Sequence, residues 1–515
     1  HKHGQQLQKL RLRSVKGLSV LPCPQLQHLW LNNCDLRLGS GLGTSISRAT
    51  ALTSLHMNKC RLQFQDPRAD VKITVAHLML VMASLTALQE LSVSGVAACS
   101  RQPGWLAASQ LSAPLLLPMY TVLELLQHLT QLHLQVQTGG ADSCRGLVQY
   151  IGSMTHLQDL QLGGVKGDPP RNPVSCRLQL AVTQLTTLTK LRRLGLCGVT
   201  VDADSPTESG ANAAALLAWL PRLQGLSSLQ LRKVKGLCAK RPEHKGLYPP
   251  TASYSAITAS SALQHVDLRG AELTQEAWQH AFPRDDWSPD STLDGKFTNI
   301  TSLRFGPHLN ANFRPVGAFL YSVAGSCPNL QDLQACDFEN VRPFKHHNSL
   351  TRLTFKKKYA EWSLEYFVWR LGQLTQIKSL QLLGVGSCLF PRALHELSMD
   401  TTLAHLSLLG IGECVSGHDL RHMRRALDNM AASADLKLTD DDKTIGTYTF
   451  VSKVGSIHTV TVHGSGLACV GLVHVLGTAT TASLWHVLDV MPTRGPDSSC
   501  NTSTTTMVLL AVQCA

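Results

Sequence analysis

The stretch Leu52-Thr53-Ser54-Leu55-His56-Met57-Asn58-Lys59-Cys60-Arg61-Leu62 decides the fold. Counted from Leu52, apolar residues stand at the first, fourth, sixth and eleventh places, and a cysteine stands at the ninth. One unit upstream the same spacing returns as Leu26, Leu29, Leu31, Cys34 and Leu36. Alternation at places four and six sends both apolar side chains to one face of a short strand and the intervening residues to the other.

The first place recurs at Leu7, Leu26, Leu52, Leu88, Leu129, Leu157, Leu191 and Leu226, then at Leu263, Ile300, Leu330, Leu350, Ile377, Leu403 and Ile457. The fourth place is apolar in every copy, from Leu10 to Val460. This spacing resembles the leucine-rich repeat family, whose pattern is L-x-x-L-x-L-x-x-N/C-x-L, and in particular its ribonuclease-inhibitor-like and cysteine-containing branches. The resemblance implies an α/β leucine-rich repeat solenoid, a curved horseshoe with parallel strands on the concave face and helices on the convex face. It also implies binding without catalysis. Members serve as recognition arms of ubiquitin ligases, inhibitors, scaffolds and the sensing ends of immune receptors.

The return paths carry apolar residues at three- and four-residue intervals, which predicts helices over Val71–Leu85, Leu123–His128, Ala211–Leu220, Val316–Ala324, Leu364–Leu371 and His418–Met430. Ser209 or Asn212 is placed to cap the third, and Ser363 the fifth. Apart from the gap of 54 between Leu403 and Ile457, which is too long for one unit, repeat intervals run from 19 residues (Leu7 to Leu26) to 41 (Leu88 to Leu129), so the longer units must carry insertions. Breaker-rich segments such as 99–103, 114–118, 166–173, 242–250 and 283–289 fit loops at the solenoid edges. The organisation expected is a solenoid over 1–435, degenerate C-terminal repeats or a cap over 436–492, and a low-complexity tail over 493–515. Leu436 and Leu438 read as the remains of a strand, and Trp485, Leu488 and Val490 as a weak further copy. The ninth place is mostly apolar (Val15, Val96, Val165, Val199, Val234, Ala271), so groups other than an Asn or Cys side chain must satisfy those turns.

Apolar residues at 43% and charged residues at 16% mark a folding chain. Its net charge of +12 is compatible with an acidic protein, nucleic acid or an anionic surface and selects none of them. The 15 cysteines form no C-x-x-C pair, which argues against a zinc ribbon or a complete disulfide framework and for an intracellular, cytoplasmic setting. No apolar run reaches the roughly 18–20 residues of a membrane span. The sequence begins at His1, which is compatible with a fragment that has lost an F-box, a nucleotide-binding module or a leader.

No P-loop, G-x-S-x-G elbow or kinase signature is present, and the 22 histidines form no triad. His418 and His422 lie four apart, but Asp419 replaces the Glu of H-E-x-x-H and no third ligand follows. Gly39-Ser40-Gly41-Leu42-Gly43 reads as a turn. No cofactor or metal is expected, and the protein is read as not an enzyme. Candidate partner-binding residues flank places four and six. Trp30, His56 and His133 form an expected contact region, while Arg232, Arg269, Arg304 and Arg352, with Lys356, form an expected basic stripe facing acidic side chains or phosphates. Lys345-His346-His347 and Lys356-Lys357-Lys358 make the densest basic cluster and are read first as a solvated strand end. The function expected is a protein-interaction scaffold, acting as a monomer or within a larger complex. The alternative is a nucleic-acid or ribonucleoprotein component bound through the basic stripe.

Overall fold

The structure, a computed structural model, describes residues 7–19, 21, 23–38, 40–64, 84–94, 97–99, 109–110, 126, 128–136, 142–164, 178–179, 182–201, 209–238, 248–271, 273–283, 297–306, 316–336, 344–345, 347–356, 374, 376–383, 405–409, 447–451 and 457–463. The described residues of His1–Pro315 and Gly325–Pro328 form one compact unit, and those of Val316–Ala324 and Asn329–Met507 form another.

In the first unit the strands are β1 (Lys9–Arg13), β2 (His28–Asn32), β3 (Ser54–Asn58), β4 (Glu90–Ser94), β5 (Gln131–Val136), β6 (Asp159–Gly164), β7 (Arg193–Cys197), β8 (Ser228–Arg232), β9 (His265–Leu268) and β10 (Ser302–Phe305). Each pairs in parallel with the next in chain order. The second unit continues the pattern with β11 (Asp332–Cys336), β12 (Arg352–Lys356), β13 (Ser379–Leu383) and β14 (His405–Leu409). There β16 (Ile457–His463) pairs in parallel with β14, and β15 (Thr447–Val451) runs antiparallel to β16. Each first place predicted from the sequence therefore falls at or just before a strand of an α/β leucine-rich repeat solenoid.

The register is repeat on repeat. Places three to seven of one unit face the same places of the next, as in Trp30 opposite His56 and Leu31 opposite Met57. Places four and six are buried (Leu29, Leu31, Leu55, Leu132, Leu134, Leu194 and Leu196 are all at most 1–2% exposed), and β2 and β4 alternate half-buried with buried residues. The β1 leucines are only half-buried.

After β1, β2, β3, β7, β8 and β9 the eighth place turns the chain with a left-handed backbone: Ser14, Asn33, Lys59 and Lys233 have φ between 51° and 58°, and Gly198 and Gly270 stand at 64° and 72°. A side-chain-bearing residue in this region carries roughly 1–2 kcal/mol of strain. A ladder of bonds offsets it. The place-eight N–H donates to the place-seven carbonyl of the following strand, as in Asn33 to Asn58 (2.8 Å), Lys59 to Ser94 (2.8 Å) and Lys233 to Arg269 (2.7 Å).

The apolar ninth places are satisfied by backbone. The place-ten N–H donates to the place-nine carbonyl one repeat earlier: Asp35 to Val15 (2.8 Å), Arg61 to Cys34 (2.8 Å) and Lys235 to Val199 (3.0 Å). Segments Asp35–Leu38, Arg61–Phe64 and Ala97–Cys99 thereby form a second short parallel sheet. Where cysteine occupies place nine, its thiol also donates to strand carbonyls, Cys34 to Asn32 (3.4 Å) and Cys60 to Leu31 (3.4 Å).

Return paths include α1 (Ser40–Arg48), α2 (Asp142–Ser153), α3 (Ser209–Trp219), α4 (Gln275–Ala281) and α5 (Val316–Ser326). Helix α1 corrects the sequence expectation of a turn at 39–43. Leu42 and Ile46, four residues apart, are buried at 0% and 5%. That face outweighs the roughly 1 kcal/mol that each glycine costs a helix. Helix α3 covers 211–219 of the predicted helix 211–220, Leu220 opening a 3₁₀ turn instead, and it begins at Ser209, so Asn212 lies inside it rather than at its cap. Helix α5 covers the predicted helix 316–324. The helices predicted over 364–371 and 418–430, and the tail 493–515, lie outside the described residues, as do Leu436, Leu438, Trp485, Leu488 and Val490.

Candidate partner-binding face

The residues at places three, five and seven share the strand face opposite the leucine core, because the pleat alternates side chains. In the first unit this face divides into three groups of chemically active side chains.

The first lies on β1–β4. The Trp30 ring stacks on His28 of its own strand (centroids 5.5 Å apart, planes at 11°) and on His56 of the next (5.6 Å, 16°). The Arg11 guanidinium lies 5.4 Å from the Trp30 ring centroid, a cation–π distance. Arg11, Trp30 and His56 are in-register neighbours at place five, so the strand ladder itself builds the stack. Glu90 on β4 completes it: Oε1 lies 3.2 Å from His56 Nε2, and Ser54 Oγ donates to Oε2 at 2.8 Å. Partial burial and the Lys9 ammonium hold the His28 imidazole below its ordinary range, with Glu90 pulling the other way. Asn58 Nδ2 donates to Asn32 Oδ1 (3.3 Å) along place seven.

The second group centres on Asp159 of β6, whose side chain is 2% exposed. Its Oδ2 lies 3.0 Å from His133 Nε2 on β5 and 2.8 Å from Arg193 Nε on β7. These are ion-pair contacts without hydrogen-bond alignment among the described residues. His133 is thus held by a carboxylate and does not join Trp30 and His56. Ser92 separates it in register from His56.

The third group surrounds Asp267 of β9. Arg269 closes on it with Nε to Oδ1 at 2.9 Å and Nη2 to Oδ2 at 2.6 Å, and the Arg269 backbone N–H donates to Oδ1 at 3.2 Å. Arg232 Nε stands 3.6 Å from Oδ2, and Arg304 faces Asp267 in register across β9 and β10. Gly306 matters here: a Cβ built on it would lie 3.2 Å from Arg269 Cβ. The strands are anchored from beneath, where Trp278 and Phe282 of the α4 region lie 6.0 Å apart and Trp278 meets Phe305 of β10 edge-on at 6.1 Å.

Arg352 and Lys356 begin and end β12 in the second unit, with Asp332 opposite Arg352 in register. His347, expected in a surface basic cluster, is 4% exposed and packs edge-on against Phe344 at 5.8 Å. An imidazole flanked by an apolar ring and the Ser349 hydroxyl (3.3 Å from Nδ1) is a core group there. The cations of this face pair with Glu90, Asp159 and Asp267, carboxylates that the sequence analysis does not single out. The available signal was register in two cases, Asp159 opposite Arg193 and Asp267 opposite Arg304; Glu90 stands opposite Ser54 and Asp159 opposite Gln131, each two residues from the place opposite its histidine. Among the described residues no group of three or more His, Cys, Asp or Glu is placed to hold a metal ion, and no helix is long and apolar enough to cross a membrane.

No protein-family model and no curated protein matches the chain. Among solved structures it is similar to an internalin of Listeria monocytogenes, at 13% identity over 86% of this chain and 89% of that one, with a TM-score of 0.34. A leucine-rich repeat protein of Leptospira interrogans matches at 15% identity over 83% and 95%, also with a TM-score of 0.34. A chain of the octameric complex of latrophilin 3, Unc5D and the leucine-rich repeats of FLRT2 matches at 12% identity over 73% and 76%, with a TM-score of 0.27. At those scores the fold rests on this chain's own strand ladder. The ladder and face define a leucine-rich repeat solenoid with a polar, partly ion-paired strand face.

Proposed function

We propose that the strand face of the first unit recognises a protein partner, without catalysing a reaction, and that the Arg11–Trp30–His56 stack with His28 is its anchor. The observation that carries this reading is the stack itself. Its rings and guanidinium are already ordered by the ladder, so little side-chain entropy remains to be lost on binding, and Trp and Arg are favoured hot-spot residues. The cations of β1 (Lys9, Arg11, Arg13) beside the ring favour an acidic partner segment. A reducing, intracellular setting is supported by the thiols of Cys23, Cys34, Cys60, Cys197 and Cys238, which stand outside any disulfide among the described residues. The ribonuclease-inhibitor-like subtype is supported by helical return paths and the Cys34 and Cys60 places.

The nucleic-acid alternative has less support. Carboxylates stand among the cations of the face at Glu90, Asp159 and Asp267, where a polyphosphate backbone crossing the strands would meet them. The test is affinity capture from nuclease-treated extract with the intact chain and with Trp30→Ala and Arg11→Ala, folding being checked by circular dichroism. The expected result is protein partners retained by the intact chain and reduced roughly tenfold or more by either variant. Equal retention by the folded variants would overturn the anchor, and partners that vanish with nuclease would favour the nucleic-acid reading.

A further inference from the structure

We propose that His28 takes up a proton when an acidic segment of the partner docks on the Arg11–Trp30–His56 stack, so that binding strengthens as pH falls through the histidine range. This rests on the reading that the stack anchors an acidic protein partner, and it adds the regulation of that contact. His28 stands at place three of β2, in register with Lys9 of β1 on one side and Ser54 of β3 on the other. Its ring stacks on Trp30 and is only partly buried, so a segment seated on Trp30 also lies beside the imidazole. Among the described residues no carboxylate pairs with His28 and neither of its ring nitrogens makes a hydrogen bond.

The charged and titratable groups around this ring are unevenly divided. Strand β1 carries Lys9, Arg11 and Arg13 at its face positions, β3 brings His56, and β4 brings Glu90. Glu90 is the single carboxylate of β1–β4, and it is already engaged: Oε1 lies 3.2 Å from His56 Nε2 and Oε2 accepts from Ser54 Oγ at 2.8 Å. In the free chain partial burial, then the Lys9 ammonium, hold His28 below its ordinary value; Glu90 opposes them and His56 adds to them. A docked carboxylate reverses that balance. It is drawn to the three cations of β1, and there it supplies the opposite charge that the imidazolium lacks. Docking also removes water, which favours the neutral ring, but a carboxylate accepting from the ring N–H outweighs this. Because the complex favours the protonated ring, it holds a proton that the free chain lacks between the two titrations, and affinity rises as pH falls through that window. His56 differs in having a carboxylate beside it before any partner arrives.

The experiment titrates the full chain with a decapeptide of alternating aspartate and serine, and with its asparagine counterpart, by calorimetry in two buffers of different ionisation enthalpy. Aspartate, with an ordinary value of about 3.9, stays ionised throughout the range used. The expected result is tighter binding of the aspartate peptide, with about half a proton taken up per peptide at pH 6.5 and a Kd about fivefold lower at pH 5.5 than at pH 7.5. His28→Gln should abolish the uptake and flatten the pH dependence to within about twofold. His156→Gln, on the exposed turn before β6, should keep both. If His28→Gln does not fold, exchange of the histidine Cε1 hydrogens, read residue by residue by mass spectrometry, makes the test in the unaltered chain: the His28 titration should move to higher pH when the aspartate peptide is bound. Binding of that peptide without proton uptake, uptake that survives in folded His28→Gln, or an unmoved His28 titration would overturn this proposal and leave the acidic anchor standing. Equal binding of the aspartate and asparagine peptides at every pH would overturn the acidic-partner reading itself, and this proposal with it.

Discussion

Replacing Gly152 by alanine separates local propensity from tertiary packing. Gly152 lies in helix α2, where alanine is favoured over glycine by about 1 kcal/mol. Packing reverses the sign. A Cβ at this position would sit 2.0 Å from the backbone carbonyl oxygen of Gln184 and 3.1 Å from its carbon. Gln184 belongs to the 3₁₀ turn Val182–Leu185, which packs on α2. Carbon–oxygen contacts ordinarily begin at about 3.3 Å, so helix and turn must part by roughly 1 Å. That movement would open the packing of Val148, Ile151, Val182 and Leu185, all 0% exposed, and strain the bond from Thr187 Oγ1 to the Gly152 carbonyl (2.6 Å). Overpacking of this kind costs about 1–3 kcal/mol and the hydrogen bond contributes about 1 kcal/mol. After the propensity gain, Gly152→Ala should destabilise by about 1–3 kcal/mol. Urea denaturation should show a lower midpoint, and amide exchange should quicken in peptides covering 142–153 and 182–190. Gln149→Ala, at an exposed position of the same helix, is the control and should be neutral or slightly stabilising. A Gly152→Ala midpoint at or above that of the unaltered chain, with unchanged exchange, would refute the packing argument.

Three further outcomes follow from particular groups. Burial pushes the thiols of Cys60 to about 11 and Cys327 to about 12, so iodoacetamide at pH 8 should leave both unlabelled until the chain is unfolded. Because an unfolded thiol loses its proton near its ordinary value of 9.0 while the folded one keeps it, this stability is fully present below pH 9. It should decline as pH rises from 9 toward 11; a urea midpoint equal at pH 8 and 10.5 would contradict this. Thr274 caps α4 by accepting the Ala277 N–H at 3.2 Å, so Thr274→Ala should cost about 1 kcal/mol in thermal unfolding while Thr274→Ser retains most of it.

Much of the fold was legible because its rule is local. Alternation at places four and six needs only two residues of context, and it located strands even where repeat length changed. The antiparallel β15 falls outside that rule: Thr447-Tyr448-Thr449-Phe450-Val451 carries period-two alternation without the repeat spacing. The second ladder at places nine to thirteen is invisible for a different reason: its bonds join backbone groups, which every sequence supplies alike. The short stretch 39–43 misled because its glycines argue against a helix, whereas the buried face of Leu42 and Ile46 extends beyond it.

For the candidate site the division is similar. The sequence determined which residues share the strand face, and it brought Trp30 and His56 together because both occupy place five of consecutive repeats. Only the tertiary structure decided the pairing of charges. His133 meets Asp159, and Asp159 meets Arg193, across two strand junctions whose connecting segments differ in length. The basic stripe became a cluster at Asp267, since Arg269 and Arg232 turn toward one buried carboxylate while Arg352 and Lys356 belong to another unit. A strand's own pattern fixes the face on which a side chain stands. Its electrostatic partner depends on which strand is stacked beside it, and the packing of the intervening residues sets that.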